Sequence, residues 1–244
     1  MFRPDLYQAL HTGNDGDIAF YLSRCQAKNT LELGCGAGRI SIEIAKTGAQ
    51  IIGIDEHTGM IDIAKQKASE AGVSDKCTWM EADMEEFDLK KRFERIIIPY
   101  STFYCLPDLS AKRECLKSIS RHLTLSGELW FDGYLMPSNE DYEFEGNTEY
   151  EDLMEIEVNG QKVKVQEMDQ HDQDEQRCMI HYRFLFEDGS MHKEKIHHHY
   201  IYPDQIKDLL KQCGLKARYI WADFQGNPLK EDSERIIVCA KLAQ

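Results

Sequence analysis

Residues 31–39 read Leu31-Glu32-Leu33-Gly34-Cys35-Gly36-Ala37-Gly38-Arg39. A short apolar run, Thr30 to Leu33, stops at glycines, and Arg39 to Lys46 then carries Ile40, Ile42, Ile44 and Ala45 in a helical pattern. A strand that turns through glycines into a helix lets a ligand approach the backbone without Cβ atoms in the way. The glycines alternate, and Arg39 stands where the dinucleotide fingerprint G-x-G-x-x-G requires its third glycine. Glu32 precedes the loop and is expected as an anion at the pocket rim, which suits a cationic ligand better than a diphosphate.

Outward from this loop the pattern repeats. Gln50 to Asp55 and Cys77 to Met80 read as strands, with a helix from Thr58 to Ala71 between them and Gly72 as its stop. Arg95 to Ile98 is a fourth strand, Ser110 to Leu123 a helix capped by Ser110, and Glu128 to Leu135 a fifth strand. Alternating strands and helices imply βαβ units and a mostly parallel sheet, with ligands at the carboxyl ends of its strands. Acidic residues stand at such ends: Asp55, 21 positions after Gly34, suits ribose hydroxyls, and Asp83 with Met84 suits an adenine. Leu6, Tyr7 and Leu10, then Ile18, Phe20, Tyr21 and Leu22, predict two N-terminal helical pieces.

From Asn139 to Tyr202 the period changes to two. Asn159-Gly160 and Asp188-Gly189-Ser190 are hairpin turns, with Asp172 to Glu175 as a third. This is an antiparallel meander inserted in the α/β domain. A helix from Pro203 to Cys213 and two strands, Lys216 to Trp221 and Arg235 to Lys241, close the chain. The acidic run from Glu140 to Glu157 reads as the solvated outer face of the meander.

These stretches resemble the class I S-adenosylmethionine-dependent methyltransferases: LELGCGAGR, GIDEHTGMIDIAKQKA, EADMEEFDL, FERIIIPYSTFYCLPD, HLTLSGELWFDGY and the closing ADFQGNPLKEDSERIIVCAKL. The subgroup with an N-terminal helical cap and an antiparallel insertion, which includes small-molecule and sugar-amine N-methyltransferases, is especially similar. The resemblance implies a Rossmann-like α/β fold with a seven-stranded, mostly parallel sheet in order 3-2-1-4-5-7-6, the seventh strand antiparallel. It implies a methyltransferase domain over residues 1–138 and 203–244, with 139–202 as a substrate lid or dimer contact. It also implies S-adenosyl-L-methionine as cofactor. Gly34 and Gly36 would meet its amino-acid portion, Asp55 its ribose, and Asp83 and Met84 its adenine. Tyr21, Glu32, Cys35, Glu56, Met60 and Pro99 complete the expected cofactor set. Pro99-Tyr100-Ser101-Thr102-Phe103 lacks the Asn-Pro-Pro-Tyr or Asp-Pro-Pro-Tyr motif of DNA-adenine and glutamine methyltransferases, which disfavours bases and protein amides as acceptors.

Segments expected over the strand ends supply the acceptor side. Tyr7, His11 and Tyr104 are the catalytic candidates; Tyr100, Asp132, Tyr134, His197 and His199 are the substrate candidates. His197 and His199 share a strand face with His198 opposite, and no metal ligand set is expected. Cys35 is expected to pack, and His122 to serve as a cation at a helix C-terminus.

Composition narrows the partners. The chain has 244 residues, 29 Lys+Arg and 43 Asp+Glu, for a net charge of −14, which argues against wrapping nucleic acid or adhering to anionic lipid. No apolar run reaches membrane-span length, Met-Phe-Arg-Pro-Asp lacks a signal core, and the eight cysteines are scattered, so a cytoplasmic protein is expected. The expected partner is a small-molecule methyl acceptor, more readily an amine than a hydroxyl, with a homodimer left open. An O-methyltransferase and a catalytically silent cofactor-binding protein are the alternatives.

Overall fold

The computed structural model describes residues 2–136 and 149–243. The chain begins with α1 (Pro4–Leu10) and α2 (Asp17–Cys25), then alternates β1 (Thr30–Leu33), α3 (Arg39–Lys46), β2 (Ile51–Asp55), α4 (Thr58–Glu70) and β3 (Cys77–Glu81). β4 (Phe93–Ile98), a 3-10 turn (Thr102–Cys105), α5 (Leu109–His122) and β5 (Leu123–Tyr134) follow. Next come β6 (Glu151–Val158), β7 (Gln161–Asp172), β8 (Arg177–Phe186) and β9 (Met191–His199). α6 (Pro203–Gln212), β10 (Leu215–Trp221) and β11 (Arg235–Leu242) end the chain.

These elements form two compact units, the smaller from residues 2–13 and 149–200 and the larger from 14–136 and 201–243. The larger holds a seven-stranded sheet in order β10-β11-β5-β4-β1-β2-β3. β1 pairs in parallel with β2 and β4, and β11 runs antiparallel to β5 and β10. This is the expected Rossmann-like methyltransferase order, with β10 and β11 as its sixth and seventh strands. Every residue of β1 is buried, as a central strand covered on both faces requires. Phe20, Tyr21, Ile40, Ile44, Ile97, Trp130 and Ile237 pack in one cluster. Each such aliphatic or aromatic side chain contributes about 1.5–3 kcal/mol by leaving water.

In the smaller unit β6-β7-β8-β9 form an antiparallel sheet. Asn159 and Gly160 both adopt positive φ, 53° and 76°, the geometry of a two-residue type I′ hairpin. Leu6 and Leu10 of α1 join Ile156, Val163, Val165, Tyr182 and Phe184 in this unit's core. The first helix was expected with the α/β domain; its leucines instead complete the core of the meander. On β6, Glu151, Asp152, Glu155 and Glu157 are exposed, and Lys164 and Lys162 on β7 pair with Asp152 and Glu155 at 2.7 and 2.8 Å. Glu149 of the acidic run is also exposed, and the rest of it, Glu140 to Glu145, lies outside the described residues.

Three local expectations change. β5 begins at Leu123, directly after α5, so Ser126-Gly127 lies within a strand. The N-cap of α5 is Asp108, whose Oδ1 accepts the Ala111 N–H at 2.9 Å; Ser110 is already helical. His122 is engaged at both ring nitrogens rather than standing free at the helix end. The Leu89 N–H donates to its Nε2 at 2.9 Å, so its proton is on Nδ1, 2.7 Å from the Ser118 carbonyl. The ring caps the helix end through these two contacts. Among the described residues no helix is long and apolar enough to cross a membrane.

The cap assignment can be tested by thermal denaturation. Asp108→Ala should cost about 1 kcal/mol, the usual worth of an N-cap side chain, whereas Ser110→Ala should leave the midpoint nearly unchanged.

Candidate functional site

The glycine loop is shaped from below. Gly34 has φ +63°, and a Cβ there would lie 2.3 Å from Thr102 Cγ2, so any larger residue would be both strained and obstructed. The Cys35 N–H donates to the Ile54 carbonyl and the Gly38 N–H to the Cys35 carbonyl, both at 2.9 Å. The Gly36 N–H donates to Asp55 Oδ2 at 2.8 Å, while Asp55 Oδ1 accepts the His57 N–H at 2.9 Å. Both oxygens of this half-buried carboxylate are thus oriented by backbone, and each keeps a second lone pair for a hydroxyl donor. That donor chemistry fits a vicinal diol, so the residues present suit the ribose of S-adenosylmethionine.

Around this latch, Asp83 is exposed after β3 and its Oδ1 accepts the Glu85 N–H at 2.7 Å; Met84 is half-buried beside it. Met60 is buried on α4, with its terminal methyl 3.3 Å from where a Cβ on Gly36 would sit, while Glu56 is exposed. Cys35 is buried, its thiol pKa is raised by burial, and its sulfur faces Gly53, as a packing residue would. Glu32 departs from expectation. It is 3% exposed rather than at a rim, and its Oε2 accepts the hydroxyl of Ser41 on α3. Burial pushes its pKa up to about 7, against the lowering effect of Ser41.

A second carboxylate organises the ends of β4 and β5. Asp132 is 0% exposed, and its Oδ1 accepts both the Tyr21 hydroxyl at 2.5 Å and the Tyr100 N–H at 2.9 Å. Its Oδ2 takes no hydrogen bond among the described residues; Arg235 Nη1 lies 3.9 Å away. Burial pushes the pKa of Asp132 up to about 6, while Tyr21, Tyr100 and Arg235 pull it down. The folded state therefore holds this proton more tightly, an advantage for folding at low pH that is lost as pH rises through about 6. Burial and the charge of Asp132 raise the Tyr21 pKa, which keeps the phenol a donor. Tyr100 and Ser101 both have φ +59°, a costly conformation for residues with a Cβ. Pro99 is buried, and its carbonyl accepts the Thr102 hydroxyl at 2.6 Å, bracing that turn.

Arg39 adds residues that sequence reading missed. Its guanidinium forms two hydrogen bonds to the buried Asp17, at 2.9 and 2.7 Å, and lies 5.7 Å from the Tyr100 ring centroid. In the sequence Arg39 stands out only as the residue in place of the third fingerprint glycine. Its place at the start of α3, and Asp17 at the start of α2, were the available signals.

Tyr104 is fully buried and its hydroxyl donates to the Tyr134 carbonyl at 2.9 Å. Burial raises its pKa. It is a strut between the turn after β4 and the end of β5, not a group presented to an acceptor. The Tyr134 ring meets it edge-on at 5.1 Å.

The remaining candidates belong to the smaller unit. The Tyr7 and His11 rings lie tilted at 44° with centroids 4.3 Å apart, and Tyr182 meets His11 edge-on at 5.6 Å. Burial lowers the His11 pKa to about 4, so the ring is neutral at physiological pH and a weak base. On β9, His197 is exposed and His199 is buried, so the two do not present one shared surface. Among the described residues no group of three or more His, Cys, Asp or Glu could hold a metal ion.

Residues 30–127 match a family model described as a methyltransferase domain. The chain is 26% identical over 215 residues to the putative methyltransferase YqeM of Bacillus subtilis, covering 86% of this chain and 83% of that one. It is 25% identical over 130 residues to the cypemycin N-terminal methyltransferase of a Streptomyces species, a match covering 52% of this chain and only 51% of the relative. Among solved structures, the sugar N-methyltransferase KedS8 from Streptoalloteichus superposes with a TM-score of 0.75 at 16% identity, covering 100% of this chain and 93% of that one.

Calorimetric titration checks the role of Asp55. Asp55→Ala should weaken S-adenosylmethionine binding by roughly 1–3 kcal/mol through lost charge-assisted hydrogen bonds, and Asp55→Asn by less. Unchanged affinity in both would remove Asp55 from the ribose site.

Proposed function

We propose that this chain is a class I S-adenosylmethionine-dependent methyltransferase that methylates an amine nitrogen of a small molecule; the match of residues 30–127 to a methyltransferase domain supports the first part of that reading. When bound, S-adenosylmethionine supplies an electrophilic methyl group on a sulfonium. The glycine loop with Gly34 and Gly36, the carboxylate of Asp55, and Asp83 with Met84 hold it. The chain's task is then to orient the acceptor and exclude water, because the leaving thioether needs little help.

The observation that carries the choice of nitrogen is Asp132. One oxygen is filled by Tyr21 and Tyr100, and the other takes no hydrogen bond among the described residues. A buried carboxylate oxygen in this state is costly unless an N–H donor or a cation meets it. An amine supplies both: it donates an N–H before transfer, and its nitrogen becomes positive as the new bond forms. Asp132 Oδ2 accepts that N–H and stabilises the developing charge, Tyr21 and Tyr100 fix its plane, and Arg235 favours its ionised form. One of the similar structures, a sugar N-methyltransferase, is named for a nitrogen acceptor, in keeping with this reading, while other relatives are named for oxygen or carbon acceptors.

Steady-state kinetics with an amine acceptor test the assignment. Asp132→Asn should lower kcat/KM by about tenfold to a hundredfold, equivalent to a charge-assisted hydrogen bond of roughly 1.5–3 kcal/mol, while cofactor affinity holds. Wild-type activity should fall as pH drops through about 6, where Asp132 takes up its proton, and the variant should lack that limb. A variant as active as wild type, with the same acid limb, would take Asp132 out of the acceptor site.

A further inference from the structure

A cleft of about 410 Å³ lies in the larger unit, lined by Asp88, Lys90, Lys91, Arg92, Arg121 and His122. Residues 88–92 lead into β4 and residues 121–122 lead into β5, so the cleft sits at the amino ends of these two parallel strands. Asp55 and Asp132 stand toward the carboxyl ends of the same sheet. The cleft is therefore separate from the methyl-transfer site.

Its charge runs against that of the chain. Lys90 pairs with Asp88, but Lys91, Arg92 and Arg121 form no salt bridge among the described residues. Three cations without an ion-pair partner among the described residues thus share one concave surface with Asp88 in a chain of net charge −14, and Lys91 also lies 5.5 Å from the Phe93 ring centroid. Two of them are held in place. Arg92 Nη1 donates to the Leu123 carbonyl at 2.7 Å and Arg121 Nη2 to the Ser118 hydroxyl at 2.9 Å, and each guanidinium has further N–H donors. Carbonyls at the end of α5 would normally repel an anion. Here His122 Nδ1 and Arg92 cover those of Ser118 and Leu123.

We infer that this cleft is a binding site for a small polyanion carrying two adjacent phosphoryl groups, either free diphosphate or the diphosphate of a nucleotide. Arginine forks match phosphoryl oxygens in geometry as well as charge, and Lys91 adds a point charge. The volume falls within the roughly 300–1,000 Å³ of ordinary ligand pockets. A second phosphoryl group lets both arginines and the lysine be engaged together, which a single phosphate does less well.

Calorimetry on the full chain at low ionic strength, with inorganic phosphate, inorganic diphosphate and a nucleoside diphosphate as probes, tests this. Diphosphate should bind one-to-one, more tightly than phosphate, and more weakly as salt is added. A Lys91→Gln, Arg121→Gln double variant should lose about tenfold or more in diphosphate affinity, with its melting temperature and S-adenosylmethionine affinity unchanged. Tighter binding of the nucleoside diphosphate would assign the site to a nucleotide; equal binding would assign it to free diphosphate. No binding of either diphosphate by the wild-type chain, equal affinity for phosphate and diphosphate, or an unaltered double variant would each overturn the inference.

Discussion

The architecture of the larger unit depends on one carboxylate, Asp55, and the two backbone N–H groups it holds. Gly36 and His57 belong to the turns after β1 and β2, and Asp55 ties them together at 2.8 and 2.9 Å. That tie adds to the Cys35–Ile54 and Gly38–Cys35 backbone hydrogen bonds that hold the left-handed glycine loop in one shape. With it, the loop meets Thr102 beneath Gly34 and thereby the turn after β4. The tie thus links the cofactor side of the sheet to the segment that carries Tyr100.

Buried carboxylates in this unit are settled in three ways, and the contrast shows which of them keeps an oxygen without a hydrogen bond among the described residues. Asp17 has a bidentate arginine, Arg39. Glu32 has a serine hydroxyl and a pKa pushed up to about 7. Asp132 has two donors on a single oxygen and only a distant guanidinium near the other. The first two are closed arrangements that hold α2 and α3 in place. The third keeps unspent hydrogen-bonding capacity at the end of β5, where an α/β sheet of this order offers its crevice.

Much of this was legible in the residues. The β1 turn, the acidic strand ends and the Asn159-Gly160 hairpin follow from local rules of period, glycine and turn chemistry, because those rules act over a few residues; the strand order came only with the resemblance to the methyltransferases. What was not legible depended on distant partners. Glu32 looks like a rim residue until α3 brings Ser41 over it. Tyr104 looks like a pocket aromatic until β5 offers the Tyr134 carbonyl. His122 looks like a helix-end cation until Leu89 donates to it, and α1 looks like a cap until its leucines enter the core of the meander. The charge of −14 likewise resolves into unlike parts: buried carboxylates with set partners, an exposed acidic edge on β6, and a cationic cleft before β4 and β5.

The central claim is that the open oxygen of Asp132 selects a nitrogen. A single acceptor bearing one primary amine and one hydroxyl, incubated with the protein and methyl-labelled S-adenosylmethionine, tests it by locating the label with mass spectrometry and NMR. The account predicts the label on nitrogen. Label on oxygen alone would contradict it.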